Sequence, residues 1–385
     1  MKRIVILGGG VGGTLTANLL VKRLRPRLDR RDVQITLVDV NAAHVYQPGF
    51  MYIAMGGERE EQLKRPERAL LDKRIRLIVD EAIRIDESSQ TVVLKGGAIL
   101  PYDELVLATG SHLVPEAIEH YDTEAHHFYT AAAARELRKA LDAFKGGRIV
   151  VGTASMPYKC PPAPLEVAML IEAELRERGL RDKAEIHYCS PIGRAFPIQT
   201  VSDMITPVMA GKGITIHEFF NVETIDPDRK VIESLEGEEL GYDLLVLIPP
   251  HRGAPFLVDS GFAKAPGGWL PTDRHTLRVG GRPNVYALGD ATDLPLSKAG
   301  STAHFEAPVV VEGIVAALEG RVPCGKNAAY EGRVMCFLEI GDGKGTLLRF
   351  DYEHPPHPPT PSALWHLGKI VFNKTYFHTV PKGRV

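Results

Sequence analysis

The chain has 385 residues, of which 44% are hydrophobic and 24% are charged, as in ordinary globular proteins. This composition excludes a disordered, collagen-like or low-complexity chain, and the length predicts two domains, or two domains and a tail. Lys and Arg (46) nearly balance Asp and Glu (48), for a formal net charge of -2. Because the chain has no overall basic field, nucleic-acid binding is not expected.

The apolar pattern near the N-terminus predicts a βαβ unit. A strand over Arg3–Leu7 leads through a glycine-rich turn into a helix over Thr14–Leu24, which should end before Pro26. A second strand, Gln34–Val38, follows and ends at Asp39. This order of elements is the one that binds dinucleotides in Rossmann-type domains.

The glycines of this turn have separate tasks in such a unit. Gly8 permits the tight turn, Gly10 lets the backbone approach a pyrophosphate, and Gly13 allows close packing of the helix. The helix N-terminus supplies oriented N–H groups, and Asp39 accepts a hydrogen bond from a ribose hydroxyl. We therefore predict a dinucleotide site, although the fingerprint does not say which dinucleotide it holds.

The four cysteines are too few and too scattered for a disulfide scaffold, and none forms a C-x-x-C pair that would suggest zinc. They are Cys160, Cys189, Cys324 and Cys336. We expect Cys189, near a strand end, and Cys324, in a loop, to be structural or incidental. Since a strand begins at the N-terminus and no run of 18 apolar residues occurs, neither a leader nor a membrane span is expected, and no metal site is predicted.

A second Rossmann-like unit is predicted to begin with the strand Arg148–Val151, but the turn after it has no phosphate cradle. That turn, Gly152–Pro162, contains three prolines, which have no backbone N–H, and the bulky Met156 and Tyr158. Both features oppose the close approach of a pyrophosphate. We therefore predict that NADH is not the electron donor.

Cys160 lies in the same turn, shortly before a helix predicted over Leu165–Arg178. A thiol near a helix N-terminus is shifted toward the thiolate, which would make Cys160 reactive. Most cysteines, however, are small buried hydrophobic residues. The residues around Cys160 leave both interpretations open.

Two later segments resemble strands of flavoproteins that have two dinucleotide-binding domains. Tyr102–Gly110 ends in A-T-G, and Asn284–Asp290 ends in G-D. The resemblance implies a glutathione-reductase-like α/β fold with two Rossmann-like domains and a small C-terminal α+β region. It also implies four contacts with FAD: Thr109 and Gly110 beside the cofactor, Asp290 at the ribityl chain and the backbone of Ala82 at the adenine.

Four further segments resemble sulfide:quinone oxidoreductases and the flavin subunit of flavocytochrome c sulfide dehydrogenase. Tyr158–Glu166 and Arg333–Glu339 are similar to the two redox-cysteine motifs of these enzymes. His44–Phe50 and Pro295–Gly300 are similar to segments near the flavin, so the resemblance covers essentially the whole chain.

This resemblance implies that sulfide is oxidised to polysulfide or sulfur, with electrons passing through FAD to a membrane quinone. Cys336 would face the flavin ring and form a transient adduct with it, and Cys160 would carry sulfur. The FAD should be bound non-covalently, because His44–Phe50 contains no cysteine. Four other residues receive roles from the resemblance: Gln47 and Pro48 at the cofactor, Lys298 at the flavin and quinone, and Phe337 at the quinone ring.

Three points about this site stay open on the sequence. Many sulfide:quinone oxidoreductases have a third redox cysteine where this chain has Phe128–Thr130, so the sulfur product is not defined. Glu166 either accepts protons from hydrosulfide or simply favours the start of its helix. Lys298 either stabilises the reduced flavin or is a solvated surface charge.

The predicted domains follow from these motifs. Residues 1–110 form the first part of the FAD-binding domain, 111–247 the second Rossmann-like domain with Cys160, and 248–320 the rest of the FAD-binding domain. Residues 321–385 form a C-terminal region that carries Cys336 and a hairpin turn at 341–345.

Ser362–Phe377 mixes Trp, Tyr and Phe with Lys, which suits either an interfacial membrane anchor or a helix packed on its own protein. The expected location is cytoplasmic and peripherally membrane-associated, and a homo-oligomer is left open. Three rival functions remain: a flavocytochrome c-type sulfide dehydrogenase subunit, a type II NADH:quinone oxidoreductase, and a persulfide-sensing flavoprotein without turnover.

Overall fold

A computed structural model describes residues 1–384. Within these residues the secondary structure comprises ten α-helices and twenty-two strands. The helices are α1 (Val11–Asp29), α2 (Phe50–Ala54), α3 (Glu67–Leu70), α4 (Tyr121–Glu124), α5 (Ala131–Ala143), α6 (Ala163–Glu177), α7 (Gln199–Gly211), α8 (Pro255–Asp259), α9 (Gly300–Glu319) and α10 (Ala363–Thr375).

The strands, most of them short, are β1 (Lys2–Leu7), β2 (Val33–Asp39), β3 (Ala43–Val45), β4 (Lys64–Pro66), β5 (Arg76–Val79), β6 (Ala82–Asp86), β7 (Thr91–Leu94), β8 (Ile99–Pro101), β9 (Glu104–Leu107), β10 (His112–Leu113), β11 (Ala125–His126), β12 (Gly147–Thr153), β13 (Ala184–Cys189), β14 (Ile214–His217), β15 (Val222–Asp226), β16 (Val231–Ser234), β17 (Glu239–Gly241), β18 (Leu244–Ile248), β19 (His251–Arg252), β20 (Val285–Ala287), β21 (Val334–Gly341) and β22 (Lys344–Phe350).

Two five-stranded parallel sheets form the centre of the molecule, as the predicted pair of Rossmann-like units requires. The first has the order β20-β9-β1-β2-β5 and the second the order β11-β18-β12-β13-β14. Each sheet is accompanied by a three-stranded antiparallel sheet, β6-β7-β8 in one case and β15-β16-β17 in the other. The α/β fold class is confirmed.

The strands of the first sheet end at one common edge, because they are parallel. β1 ends before the glycine turn, β2 ends at Asp39, and β9 and β20 end before the A-T-G and G-D turns. All four sequence motifs of the predicted cofactor site therefore meet at this edge. Four of these strands, β1, β2, β9 and β20, are largely buried on both faces, which explains their nearly continuous runs of apolar residues, whereas the edge strand β5 is partly exposed.

The first helix is longer than predicted. Pro26 was expected to end it, but α1 continues to Asp29 and includes Pro26 in its last turn. A proline there removes only one backbone hydrogen bond, and the next turn is still closed by the bond from Arg30 N to the Pro26 carbonyl at 3.2 Å. The proline rule therefore placed the end of this helix one turn too early.

The C-terminal region packs its secondary structure against the second domain. β21 and β22 form a hairpin whose turn lies between Gly341 and Lys344, as predicted. β21 packs against α6, and α10 packs against both strands of the hairpin. This packing brings Cys336 on β21 to the side of the molecule that carries Cys160.

Candidate redox site

The glycine turn after β1 has the shape that a dinucleotide pyrophosphate requires. A Cβ atom at Gly13 would meet the Gly8 carbonyl oxygen at 1.9 Å, so only glycine allows the helix to start this close to the strand. At Gly10, in contrast, no atom of residues 1–384 lies within 4 Å of such a Cβ. This open space in front of the N-terminus of α1 fits a phosphate group.

Asp39 stands at the end of β2, beside the same turn. Its carboxylate accepts hydrogen bonds from the backbone N–H of Gly9 and, at 2.6 Å, from that of Asn41. Burial raises the pKa of Asp39, although both backbone hydrogen bonds act in the opposite direction. The position suits the predicted ribose contact, which stays a prediction.

The A-T-G turn after β9 presents further unused polar groups. The hydroxyls of Thr109 and Ser111 are buried and find no hydrogen-bond partner among residues 1–384. Gly110 between them has a φ of +67° and open space around it. Buried hydroxyls rarely stay unpaired, so the turn fits a polar ligand such as a flavin dinucleotide. Ser111 was not singled out from the sequence.

Lys298 is buried against the G-D turn rather than solvated. Its ammonium donates to the carbonyl oxygens of Asp290 at 3.0 Å and Thr292 at 2.6 Å, and it lies 3.8 Å from the ring centroid of Trp269. Burial lowers its pKa to about 8. Lys298 thus provides a desolvated cation at the edge of the first sheet where the cofactor motifs meet, which we call the cofactor edge. Trp269 is a residue of this site that was not found from the sequence.

A second missed residue supports the same turn from behind. The buried carboxylate of Glu306, on α9, accepts a hydrogen bond from the backbone N–H of Gly289 at 2.6 Å. Burial raises the pKa of Glu306 to about 8. The only sequence signal for it was an acidic residue among the mostly apolar residues of α9, a feature that Glu312 shares.

The turn that carries Cys160 crosses from the second domain to this edge. Lys159 and Lys298 pair as an isolated parallel bridge, and the Cys160 N–H donates to the Lys298 carbonyl at 2.6 Å. The Lys159 ammonium reaches Gln47 Oε1 at 3.0 Å, next to the exposed Pro48. Sequence segments more than 100 residues apart therefore meet around Cys160.

Cys160 and Cys336 are two partly buried thiols. A negative charge on Cys336 contributes to raising the pKa of Cys160, and their pairing stays a prediction. Both side chains pack against the same core cluster, and the Cys336 sulfur lies 3.8 Å from the hydroxyl of Ser301. By contrast, Cys189 is fully buried in β13 and Cys324 is exposed.

Of the two interpretations that the sequence left open for Cys160, its surroundings favour a buried thiol that is not shifted toward the thiolate. Burial raises the pKa of Cys160, and the negative charge of Glu166 raises it further. Burial also raises the pKa of Cys336, to about 11, against the lowering effect of the Ser301 hydrogen bond. The pKa-lowering effect of the helix N-terminus on Cys160 is outweighed, because the thiol is removed from water and is close to the carboxyl group of Glu166. Both thiols are therefore weaker acids than an exposed cysteine.

Glu166 is part of a buried ionic cluster and does more than start its helix. Its Oε1 accepts from the Lys369 ammonium at 2.6 Å and from the backbone N–H of Glu339 at 2.8 Å. Lys369 also lies 3.7 Å from the Glu339 carboxylate. Burial raises the pKa of Glu166, whereas Lys369 acts to lower it. Lys369 was missed, although a single lysine inside the apolar part of α10 was a visible signal.

The segment Phe128–Thr130, where relatives were expected to have a third cysteine, also contacts the site. The Tyr129 hydroxyl donates to the Lys159 carbonyl at 2.9 Å and lies 3.5 Å from the Cys160 carbonyl. A phenol thus holds the turn of Cys160 from this side. The other cofactor candidate, Ala82, begins β6 and is partly buried, and its adenine contact stays a prediction.

The predicted quinone residue Phe337 follows Cys336 on β21 and packs against α10. Its ring centroid is 6.4 Å from that of Phe372, and its edge approaches Gly368. The outer face of α10 exposes Leu364 (69%), Leu367 (55%) and Val371 (52%). Among residues 1–384, no helix is both long enough and apolar enough to span a membrane.

Comparison with protein families matches residues 2–307 to the pyridine nucleotide-disulphide oxidoreductases. Among curated proteins, the mitochondrial sulfide:quinone oxidoreductase of Mus musculus is 26% identical over 366 residues, covering 92% of this chain and 79% of the relative. The sulfide-quinone reductase of Aquifex aeolicus is 26% identical over 411 residues, covering 100% and 92%.

Comparison with solved structures gives the same fold. The sulfide:quinone oxidoreductase structure from Aquifex aeolicus matches with a TM-score of 0.85 at 24% identity and covers 100% of this chain and 92% of its own. This similarity extends through the C-terminal region that carries Cys336, Phe337 and Lys369.

Proposed function

The chain belongs to the pyridine nucleotide-disulphide oxidoreductase family and is an oxidoreductase, and we propose that it oxidises sulfide through a Cys160–Cys336 redox pair. Electrons would pass through non-covalent FAD to a quinone, and the product would be polysulfide or sulfur. Two observations support this proposal: the charge of Cys336 acts on the pKa of Cys160, and the turn of Cys160 is joined to the G-D side of the site by the bridge between Lys159 and Lys298. The substrates, sulfide and quinone, are those of the sulfide:quinone oxidoreductases to which the chain is similar.

The cysteine chemistry begins from a disulfide between Cys160 and Cys336. Hydrosulfide attacks the Cys160 sulfur, a new S–S bond forms, and the old one breaks with its electron pair left on the Cys336 thiolate. Bound FAD would supply a two-electron acceptor for that thiolate and a donor for quinone. A second hydrosulfide takes the outer sulfur from Cys160 as a hydropersulfide anion and leaves the Cys160 thiolate, which can pair with Cys336 again.

The protein residues would hold the cofactor and the quinone and place charged groups beside the reacting thiols. Gly10, Asp39 and the A-T-G turn would hold FAD, and Lys298 would place a cation at its edge. Lys369 neutralises Glu166 beside the thiols, which limits the cost of forming a thiolate there. Phe337 with Phe372 would contact the quinone ring.

NADH is not expected to replace sulfide as the electron donor. Between β12 and α6 the turn contains Pro157, Pro161 and Pro162, and the Tyr158 ring fills the interior where a dinucleotide phosphate would approach. In a steady-state assay with a short-chain quinone, sulfide should support turnover at least about 100-fold faster than NADH. Equal or faster turnover with NADH would contradict the proposal and favour a type II NADH:quinone oxidoreductase.

The exposed face of α10 supports binding to a membrane surface, from which a lipid-soluble quinone would enter. Leu364, Leu367 and Val371 lie at spacings of three and four residues and hence on one side of the helix. The double variant Leu367→Glu/Val371→Glu should lower the partition onto vesicles about tenfold or more, because charges replace inserted apolar groups.

Vesicle co-sedimentation measures this effect. The variant Val322→Glu is a suitable control because Val322 is 80% exposed but lies in a loop distant in sequence from α10. If the double variant sediments with vesicles as the wild type does, the exposed face of α10 does not bind the membrane surface.

A further inference from the structure

Four ionisable side chains form a continuous chain that starts at the cysteine pair and ends at the surface. Glu166 contacts Lys369 at 2.6 Å, Lys369 lies 3.7 Å from Glu339 Oε2, and Glu339 Oε1 lies 2.8 Å from His366 Nδ1. The first three side chains are buried, whereas 31% of the His366 side chain is exposed. This series of four side chains thus has one end near the thiols and the other end in water.

The inner end is coupled to both thiols. The charges of Glu166 and Lys369 act on the pKa of Cys160 and also on that of Cys336, in opposite directions. The other titratable groups that face this cluster are the phenols of Tyr46, Tyr52 and Tyr129. Burial raises the pKa of all three phenols, so they stay neutral and do not compete as proton carriers.

A gain in folding stability does not explain this buried ionic cluster. Two buried carboxylates and one buried ammonium each lose hydration, and such clusters contribute little net stability compared with apolar side chains of the same volume. Every link in this chain can either give or take a proton. The outer link is an imidazole, the side chain best suited to proton exchange near neutral pH.

We propose that Glu166, Lys369, Glu339 and His366 conduct protons between the Cys160–Cys336 pair and solvent, with His366 as the exchange point at the surface. The inference rests on the proposed oxidation of sulfide, because that reaction releases protons at a buried site. It adds two residues, Glu339 and His366, that do not touch the reacting sulfurs.

The proton balance of the reaction defines which proton these four side chains must carry. When hydrosulfide attacks Cys160 and the electron pair of the broken S–S bond moves to Cys336, the new persulfide still holds the proton of hydrosulfide. That proton passes to Glu166. Lys369 accepts a proton from Glu166 as it gives one to Glu339, and Glu339 passes one to His366 and then to water. The oxidant is the cysteine disulfide, which quinone restores through the flavin.

The test compares His366→Gln and Glu339→Gln with the wild type, using anaerobic stopped-flow reduction of the FAD-loaded protein by sulfide over a range of pH. His354→Gln is the matched control, because His354 also pairs with a carboxylate, Asp351, at 2.8 Å but lies in an exposed loop. We expect about tenfold slower reduction near neutral pH in both test variants and no change in the control. Added imidazole should restore the rate of His366→Ala.

A second readout needs no sulfide. After a rapid jump to higher pH, the ultraviolet absorbance of the cysteine thiolates should rise more slowly in His366→Gln than in the wild type. If sulfide fails to reduce the wild type but this relaxation is still slowed, the proposed function falls and the proton path stands. If His366→Gln matches the wild type in thiolate formation at every pH, and imidazole has no effect on His366→Ala, the proton path is overturned.

Discussion

Cys336→Ser is expected to abolish reduction of the bound flavin by sulfide, with a rate loss of about 10³-fold or more. A serine hydroxyl forms no S–S bond with Cys160 and is far too weak an acid to replace the thiolate that carries the electron pair. The FAD spectrum before sulfide is added should stay normal, because Cys336 lies on β21 and not in the turns that would hold the cofactor. Rapid mixing with sulfide under anaerobic conditions measures the loss.

Cys160→Ser should fail in the same assay, since it removes the sulfur that hydrosulfide attacks. The control is Cys324→Ser, because Cys324 is exposed in a loop and its nearest polar neighbours are Arg321 and Glu312. If Cys336→Ser were reduced by sulfide as fast as the control, direct attack on the flavin would replace the cysteine-pair mechanism.

Gly10→Ala is expected to weaken FAD binding by about tenfold or more while the apoprotein still folds. The φ of Gly10 is -78°, which alanine adopts without strain, and no atom of residues 1–384 lies within 4 Å of the added methyl group. The methyl group would instead occupy the space in front of α1 where the pyrophosphate should lie. Titration of the apoprotein with FAD, followed by fluorescence quenching, gives the affinity.

Gly211→Ala provides the matched comparison, because a Cβ at Gly211 also meets open space, at the far end of α7. Its FAD affinity should equal that of the wild type. Equal affinity for Gly10→Ala would show that the pyrophosphate does not approach this turn, and the assignment of the cofactor edge would then be wrong.

The cofactor edge could be predicted because the residues that mark it lie next to one another in the sequence. Each of its four turns follows a buried strand, and glycine or aspartate at the strand end marks the turn directly in the sequence. The parallel order of the sheet then gathers these strand ends without further information. Only supporting residues that approach from elsewhere, such as Trp269 and Glu306, could not be found in this way.

The electrostatics of the cysteine pair could not be predicted for the opposite reason. The helix N-terminus beside Cys160 is a local feature, but Glu339 and Lys369 are separated from Glu166 by 173 and 203 positions. Burial of the thiols depends on how β21 packs on α6 and how α10 packs on the β21–β22 hairpin, which no local sequence pattern reports. The sequence therefore left the state of Cys160 open, and the pairing of Cys160 with Cys336 stays the prediction on which the proposed chemistry rests.

The most direct test of the central claim is an anaerobic titration of the FAD-loaded protein, followed by visible spectroscopy. We predict that sulfide bleaches the flavin, that a short-chain quinone then restores its spectrum, and that NADH in a parallel cuvette has no effect. Bleaching by NADH with no response to sulfide would contradict the account, because it would make the cysteine pair a bystander.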